Sequence, residues 1–165
     1  EELHQIDAIA QSLNTSPSIG LRINPDIDGV TLEKKWEAGP QTYLGLATAE
    51  FPNLFLVTGP GSPSVLSNMM TSIEQHVEWI SDCLEFLRSR GVKEIEADKK
   101  AEDNWMAHVN EVAGKTLRYY CRSWYLGSNM PGKPRVFMPY IGGMPAYIKK
   151  CDAVAAANYQ GFRLS

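Results

Sequence analysis

The chain of 165 residues is long enough for one compact core, and its 44% hydrophobic and 21% charged residues are typical of a folded globular protein. A net charge of −3 gives no sign of the basic surface that a protein needs to bind nucleic acid or anionic lipid, so neither is expected as a partner. No apolar run approaches the roughly 20 residues that span a bilayer, so no membrane partner is expected either.

The cysteines and histidines indicate neither a disulfide framework nor a metal site. Cys83, Cys121 and Cys151 are odd in number and widely spaced, and the three histidines show no HxxxH or HExxH arrangement. No signal-peptide pattern is visible near Glu1, although the chain does not begin with Met. A cytoplasmic location is therefore expected, and no metal ligand is assigned.

Elements are predicted first over residues 3–13, as a short helix, and over residues 30–32, as a short strand between turns. Residues 54–58 form an apolar run without alternation that stops at Gly59-Pro60-Gly61, which is typical of a strand covered on both faces. Ser62 and Pro63 then provide an N-cap and a first-turn proline for a long helix.

The long helix is predicted to bury one apolar stripe and to end at Gly91, a favourable left-handed residue. The carboxylates of Glu74, Glu78, Asp82 and Glu85 fall off that stripe and are expected to be solvated. The stripe recurs at three- and four-residue intervals and consists of Leu66, Met69, Met70, Ile73, Val77, Ile80, Leu84 and Leu87.

The remaining pattern predicts a strand over residues 93–97 and a helix capped by Asp98 that ends near Tyr119. A long Gly- and Pro-rich loop over residues 123–135 follows, then a strand over 136–141 and a last helix over 146–158. The fold class is therefore α/β, with a strand–long helix unit, a second helix and an extended C-terminal loop and strand segment.

The turn between the buried strand and the long helix is the most informative place for chemistry. Free N–H groups at a helix N-terminus suit a phosphate, an oxyanion or the carbonyl edge of a flavin, although an ordinary connection has the same sequence pattern. A serine hydrolase is weighed because Ser62 lies on this turn. Pro63 directly after it removes the N–H that an oxyanion hole needs, and the G-x-S-x-G spelling is absent.

Two tryptophans receive different interpretations. Trp105 shares a helix face with valines and is expected in the core. Trp124 lies in the Gly- and Pro-rich loop, where a large aromatic ring either stacks on a ligand or anchors the loop to the body of the protein.

Several blocks resemble the Baeyer–Villiger monooxygenases related to phenylacetone and cyclohexanone monooxygenase, within the flavin-containing monooxygenase superfamily. The resemblance covers residues from about 29 to 163. It is carried by residues 36–55, by Gly59-Pro60-Gly61-Ser62-Pro63-Ser64, by residues 67–69 and 72–79, by His108-Val109-Asn110-Glu111, by Ser123-Trp124-Tyr125-Leu126-Gly127 and by residues 131–137.

The resemblance implies a C-terminal part of an FAD-binding domain over residues 29–165, with a loop that controls NADPH, after a diverged segment over 1–28. Asn68 and Met69 would address the flavin, and Trp124 would lie over NADPH. A ketone pocket would be lined by Pro63, Ser64, Val65, Leu66 and Met69. In this family NADPH reduces FAD, and oxygen from O₂ is inserted into a ketone to give an ester or lactone.

The departures from the family pattern are specific. No G-x-G-x-x-G turn occurs, and the signature F-x-G-x-x-x-H-x-x-x-W-P and the family's catalytic arginine and aspartate are missing. We therefore expect a portion that is catalytically incomplete alone and that needs an upstream polypeptide carrying the dinucleotide-binding regions. The alternative is a non-catalytic remnant or accessory subunit that binds another protein through apolar surface.

Overall fold

The computed structural model describes residues 39, 41–63, 66–127, 132 and 134–165. The predicted segment 1–28, with the helix over 3–13, and the strand over 30–32 lie outside these residues. The described part is a mixed helix and strand structure, as predicted. Its elements are α1 (Met69–Arg90), β1 (Ile95–Ala97), α2 (Lys99–Gly114), α3 (Leu117–Tyr120), a 3₁₀ turn (Trp124–Leu126), α4 (Met144–Ala156) and β2 (Phe162–Leu164).

Helix α1 begins later than the sequence predicts. Its N-cap is Asn68, whose side chain accepts a hydrogen bond from the N–H of Met70 at 3.0 Å. Ser62 is not the N-cap of α1, and its hydroxyl donates to the carbonyl oxygen of Gly59 at 2.7 Å. The helix ends as predicted at Gly91, which has φ 66° and donates its N–H to the last turn.

The buried face of α1 matches the predicted stripe only in part, at Leu87 and at the partly buried Ile80. The residues it buries are Ser72, His76, Trp79, Cys83 and Leu87, whereas Met70, Val77 and Leu84 are 62%, 48% and 36% exposed. Trp79 helps to orient this face toward the core, because its indole N–H donates to the carbonyl oxygen of Cys151 in α4 at 3.1 Å. The predicted stripe therefore lies beside the buried face, and the part of the chain that the structure describes leaves much of it uncovered.

Residues 54–58 do not form the predicted core strand. A strand needs a ladder of neighbours, and the N–H of Leu56, which donates to Leu46 at 2.7 Å, makes the one backbone bond from this run to a distant segment within the described residues. Val57 is 46% exposed, so the run is not covered on both faces.

Strand β1 pairs antiparallel with β2, with Ile95 opposite Leu164 and Ala97 opposite Phe162. The sequence predicts β1, over two more residues, but not its partner at the end of the chain. On the other edge of β1, the backbone N–H of Asn53 donates to the carbonyl oxygen of Ile95 at 2.8 Å. The side-chain oxygen of Asn53 accepts from the N–H of Ile95 at 3.1 Å.

Helix α2 starts at the predicted cap, where the carboxylate of Asp98 accepts from the N–H groups of Lys100 and Ala101. It ends at Gly114 rather than near Tyr119, and the short α3 follows. Helix α4 lies two residues before its predicted bounds. Residues 136–141, predicted as a strand, have no regular strand assignment.

The core gathers the aromatic rings of all three long helices. Trp79 from α1, Trp105 from α2 and Tyr147 from α4 are each at most 6% exposed, and Trp105 is the core residue that the sequence predicts. Glu102 is also buried, and its carboxylate accepts from the hydroxyl of Thr48 at 3.0 Å and the N–H of Ala49 at 2.8 Å. A carboxylate of α2 thus holds the preceding loop against the core.

The three cysteines are free, and burial raises the pKa of Cys83 and of Cys151 to about 12. In the part of the chain that the structure describes, no group of three or more His, Cys, Asp and Glu residues could hold a metal ion. Over the same residues, no helix has the length and apolar character needed to cross a bilayer.

Two glycines with similar backbone angles give a matched test of the packing. Gly45 and Gly91 have φ of 71° and 66°. A Cβ at Gly45 would lie 2.6 Å from the backbone nitrogen of Ser62, whereas a Cβ at Gly91 would have no described heavy atom within 4 Å. We expect Gly91→Ala to cost about 1 kcal/mol of left-handed strain and Gly45→Ala about 3 kcal/mol, because overpacking is added. Urea unfolding measures both, and equal losses would contradict the close contact between Gly45 and Ser62.

Candidate functional site

Residues 58–63, called here the junction, are held by strand-like backbone hydrogen bonds. The N–H of Gly61 donates to the carbonyl oxygen of Met138 at 2.6 Å, and the N–H of Tyr140 donates to that of Ser62 at 2.8 Å. The segment 136–141 therefore pairs with the junction although it is not a regular strand. This pairing fixes the path of the chain just before α1.

Helix α2 contacts the junction through Trp105. The indole N–H of Trp105 donates to the carbonyl oxygen of Gly61 at 3.1 Å. Gly61 has φ 83°, and a Cβ there would lie 2.9 Å from that indole nitrogen, so both the angle and the space require glycine. Thr42 adds a hydrogen bond from its hydroxyl to the carbonyl oxygen of Pro60.

His76 of α1 ties the other end of the junction to α4. Its Nδ1 accepts from the N–H of Thr58 at 2.8 Å, and its Nε2 lies 2.8 Å from the hydroxyl of Tyr147. That hydroxyl donates its proton to the carbonyl oxygen of Leu44 at 2.6 Å, so the histidine must donate from Nε2. The ring is therefore neutral and fully paired, and burial lowers the pKa of His76 to about 4.

A cavity of about 460 Å³ opens beside the junction and the start of α3. The predicted pocket residues Pro63 and Leu66 both line it, whereas Ser64 and Val65 lie outside the described residues. Most of the wall is apolar, and the polar groups come from Ser67, Thr116, Arg118 and Tyr140. Such a lining suits a small, largely apolar molecule with one polar group.

A second, smaller cavity of about 150 Å³ lies on the loop side of the junction. Trp124 lines it together with Thr58, Gly59 and Pro60. The Trp124 side chain is 56% exposed, and its ring centroid lies 4.0 Å from that of Tyr125. The structure therefore brings Trp124 to the junction but not into the cavity that Pro63 and Leu66 line.

The other predicted cofactor residues lie at the start of α1. Asn68 is exposed and Met69 is partly buried, and neither lines the two junction cavities. Asn68 uses its side-chain oxygen to cap the helix, so the first turn of α1 opens at Asn68 and not at Ser62. This open end carries the partial positive charge of a helix N-terminus.

The geometry counts against a serine hydrolase. Ser62 has no exposed surface, and its hydroxyl is engaged with the carbonyl oxygen of Gly59. A nucleophile must face its substrate and lie beside a base. Ser62 instead stabilises the turn.

Three side chains at this site were not predicted from the sequence. His76 lies on the helix face that the apolar stripe did not include, and Arg118 and Tyr140 reach the larger cavity from α3 and from the segment after the loop. No spacing in the sequence joins these positions to Pro63. A histidine aligned with Trp79 and Cys83 at helical intervals was the single signal that could have indicated His76.

The pKa of His76 sets a pH dependence of stability. Between pH 6.5 and about 4 this residue is protonated in the unfolded chain but stays neutral in the folded chain. The free energy of unfolding therefore falls as the pH is lowered through that window. The contribution lost is about 3 kcal/mol, with the full stability present above pH 6.5.

We expect His76→Asn, which keeps an acceptor near Nδ1 but does not titrate, to have a flatter profile than the parent chain. Urea unfolding at pH 7.5, 6.0 and 4.5 measures the difference. His108→Asn is the matched control, because the His108 side chain is 32% exposed and should contribute less. Identical profiles for the parent and His76→Asn would contradict the neutral, buried ring.

Comparison of sequences relates the chain to known monooxygenases. It is 38% identical over 167 residues to acetone monooxygenase (methyl acetate-forming) of Gordonia sp. strain TY-5, covering 99% of this chain and 31% of that protein. It is 36% identical over 135 residues to cyclohexanone 1,2-monooxygenase of Acinetobacter sp., covering 82% and 24%. The chain thus spans less than a third of the length of these relatives. No protein-family model matches it.

Solved structures agree with the sequences. Cyclohexanone monooxygenase of Rhodococcus sp. Phi1 bound to NADP⁺ superposes with a TM-score of 0.77 at 37% identity, over 84% of this chain and 26% of that one. An oxidized steroid monooxygenase bound to NADP gives 0.75 at 42% identity, over 84% and 25%. Since sequence and fold agree over most of its length, this chain belongs to the Baeyer–Villiger monooxygenase family, of whose members it matches the C-terminal part.

Proposed function

We propose that this chain is the C-terminal portion of an FAD- and NADPH-dependent monooxygenase that inserts one oxygen atom of O₂ into a ketone to give an ester or lactone. The observation that carries the proposal is the 38% identity, over nearly the whole chain, to an enzyme named as an acetone monooxygenase that forms methyl acetate. That name describes a ketone-to-ester conversion. The chain spans 31% of that enzyme, so the activity is proposed for the chain together with a complementary polypeptide.

The larger cavity supports a ketone as the substrate. Pro63, Leu66 and Met144 give it apolar walls, and Tyr140 and Arg118 are among the groups able to donate hydrogen bonds to a carbonyl oxygen. Among the described residues no carboxylate lines it, so no negative charge opposes the carbonyl oxygen of a ketone. We propose that Pro63 and Leu66, with the predicted Ser64, Val65 and Met69, form the ketone pocket.

The start of α1 fits one edge of a flavin. Asn68 is exposed, and the first-turn N–H groups of a 22-residue helix present partial positive charge to a carbonyl edge. FAD, when bound, would supply the redox chemistry that activates O₂. No Gly-rich phosphate-binding turn occurs in the sequence, so this chain would orient the flavin ring rather than hold the dinucleotide.

Trp124 is the residue that we propose for NADPH. Its ring is more than half exposed at the junction, it is fixed by the 3₁₀ turn Trp124–Leu126, and it rests against Tyr125. A ring held this way can cover a planar group without losing much side-chain entropy on binding.

The uncovered stripe on α1 supports a protein partner. Met70, Val77 and Leu84 expose apolar surface at helical spacing, which in a folded protein marks an interface. We propose that this stripe packs against the polypeptide that carries the dinucleotide-binding regions. The same stripe also favours the second candidate, an accessory subunit without catalysis that binds another protein.

Reconstitution tests the proposed activity. The chain is co-expressed with the part of the Acinetobacter cyclohexanone 1,2-monooxygenase that precedes the region matched here, and flavin absorbance, NADPH oxidation and lactone formation are measured with cyclohexanone. We expect a yellow complex whose NADPH oxidation yields lactone. A stable complex without lactone would favour the accessory subunit, and no complex would contradict the proposed activity.

Two variants test the interface within that experiment. Val77→Asp places a charge on the uncovered stripe, and we expect it to reduce recovery of the complex at least about tenfold, because burying an unpaired carboxylate is costly. Glu78→Gln, at the neighbouring exposed position, is the matched control and should leave recovery unchanged. Equal recovery for both variants would remove the stripe as the interface.

A further inference from the structure

A groove of about 550 Å³ lies away from the junction, between the start of α2, the middle of α4 and β2. We call it the α2–β2 groove. None of the residues predicted to bind a cofactor or a ketone lines it. The part of its lining that bears on ligand binding is Tyr43, Lys100, Trp105, His108, Lys150 and Phe162.

The groove carries an excess of positive charge in a chain whose net charge is −3. Of its charged lining, Asp98 caps α2 and keeps its negative charge, and Arg163 is paired with Glu96 at 2.6 Å. Lys100 and Lys150 have no ion-pair partner among the described residues. Two ammonium groups are therefore available to an anion.

The apolar walls of the groove are aromatic. The hydroxyl of Tyr43 donates to the carbonyl oxygen of Gln160 at 2.9 Å, and the indole of Trp105 donates to that of Gly61. Their polar atoms are satisfied by the backbone, so the groove is left with ring carbon. Phe162 adds a third ring, whose centroid lies 5.1 Å from that of Tyr43. Flat aromatic walls suit a planar apolar group.

His108 contributes an unused polar atom. Its Nε2 is buried and has no hydrogen-bond partner within the described residues. Burial first, and then the charge of nearby Lys150, lowers the pKa of His108, so the ring is neutral in the empty groove. A bound anion would offset the charge of Lys150 and so raise the pKa of His108.

We propose that the α2–β2 groove binds a small organic anion with a planar apolar body, its carboxylate or phosphate held by Lys100 and Lys150 and its ring packed on Tyr43, Trp105 and Phe162. The site is independent of the monooxygenase reaction proposed above. It gives the chain a place for an acidic ligand with an aromatic body, apart from the cavity beside Pro63.

Calorimetric titration of the full chain with 2-naphthoate and with its neutral analogue 2-naphthamide tests the proposal. We expect saturable binding of 2-naphthoate and at least about tenfold weaker binding of the amide, because an amide cannot pair with two ammonium groups. The pKa of His108, followed by NMR, should rise when 2-naphthoate binds. Inorganic phosphate serves as the probe of the anionic group alone and should bind more weakly than 2-naphthoate.

Charge-neutralising variants locate the ligand. Lys100→Gln and Lys150→Gln should each weaken 2-naphthoate binding at least about threefold, because each removes one charge-assisted hydrogen bond to the carboxylate. Lys149→Gln removes the same charge from the same helix outside the groove and should leave affinity unchanged. Near-UV circular dichroism checks that each variant is folded. Equal binding of acid and amide, equal effects of all three variants, or no saturable binding would each overturn the proposal.

Discussion

The described structure depends on how the junction of residues 58–63 is held. The backbone of Gly61 and Ser62 is bonded to Met138 and Tyr140, and the N–H of Thr58 is bonded to His76. These contacts join α1 and residues 136–141 to one short stretch of chain, and His76 links that stretch to Tyr147 of α4. Because both junction cavities are lined by this stretch, its path determines their shape.

The network at His76 shows how a polar side chain can serve inside a core. The ring accepts at Nδ1 and donates at Nε2, so both nitrogens are satisfied without charge. The hydroxyl of Tyr147 accepts from Nε2 of His76 and donates a hydrogen bond to the carbonyl oxygen of Leu44. The arrangement links three distant segments by directional bonds, which apolar packing alone would not orient.

The three candidate binding regions differ in chemistry. The cavity beside Pro63 is mostly apolar, the exposed ring of Trp124 is suited to covering a planar group, and the α2–β2 groove adds the free charges of Lys100 and Lys150. The uncovered stripe around Val77 is a fourth, purely apolar surface. The four surfaces therefore differ in charge and polarity, and each would suit a different class of ligand or partner.

The sequence by itself determined the features that local chemistry controls. The cap at Asp98, the end of α1 at Gly91, the burial of Trp105 and the family resemblance follow from residue types at short range, and the structure and the comparisons confirm them. Side-chain chemistry at a cap or a left-handed turn acts within a few residues, so it can be predicted without the fold.

Only the tertiary structure decided which face of α1 is buried, since the exposed Met70 and Val77 are more apolar than Ser72 and His76, which pack inside. It also replaced the predicted strand over residues 54–58 with an irregular segment, and paired β1 with the end of the chain. Those outcomes depend on which distant segments pair with a strand or cover a helix face. The hydrophobic periodicity of one segment does not indicate which segments it will contact.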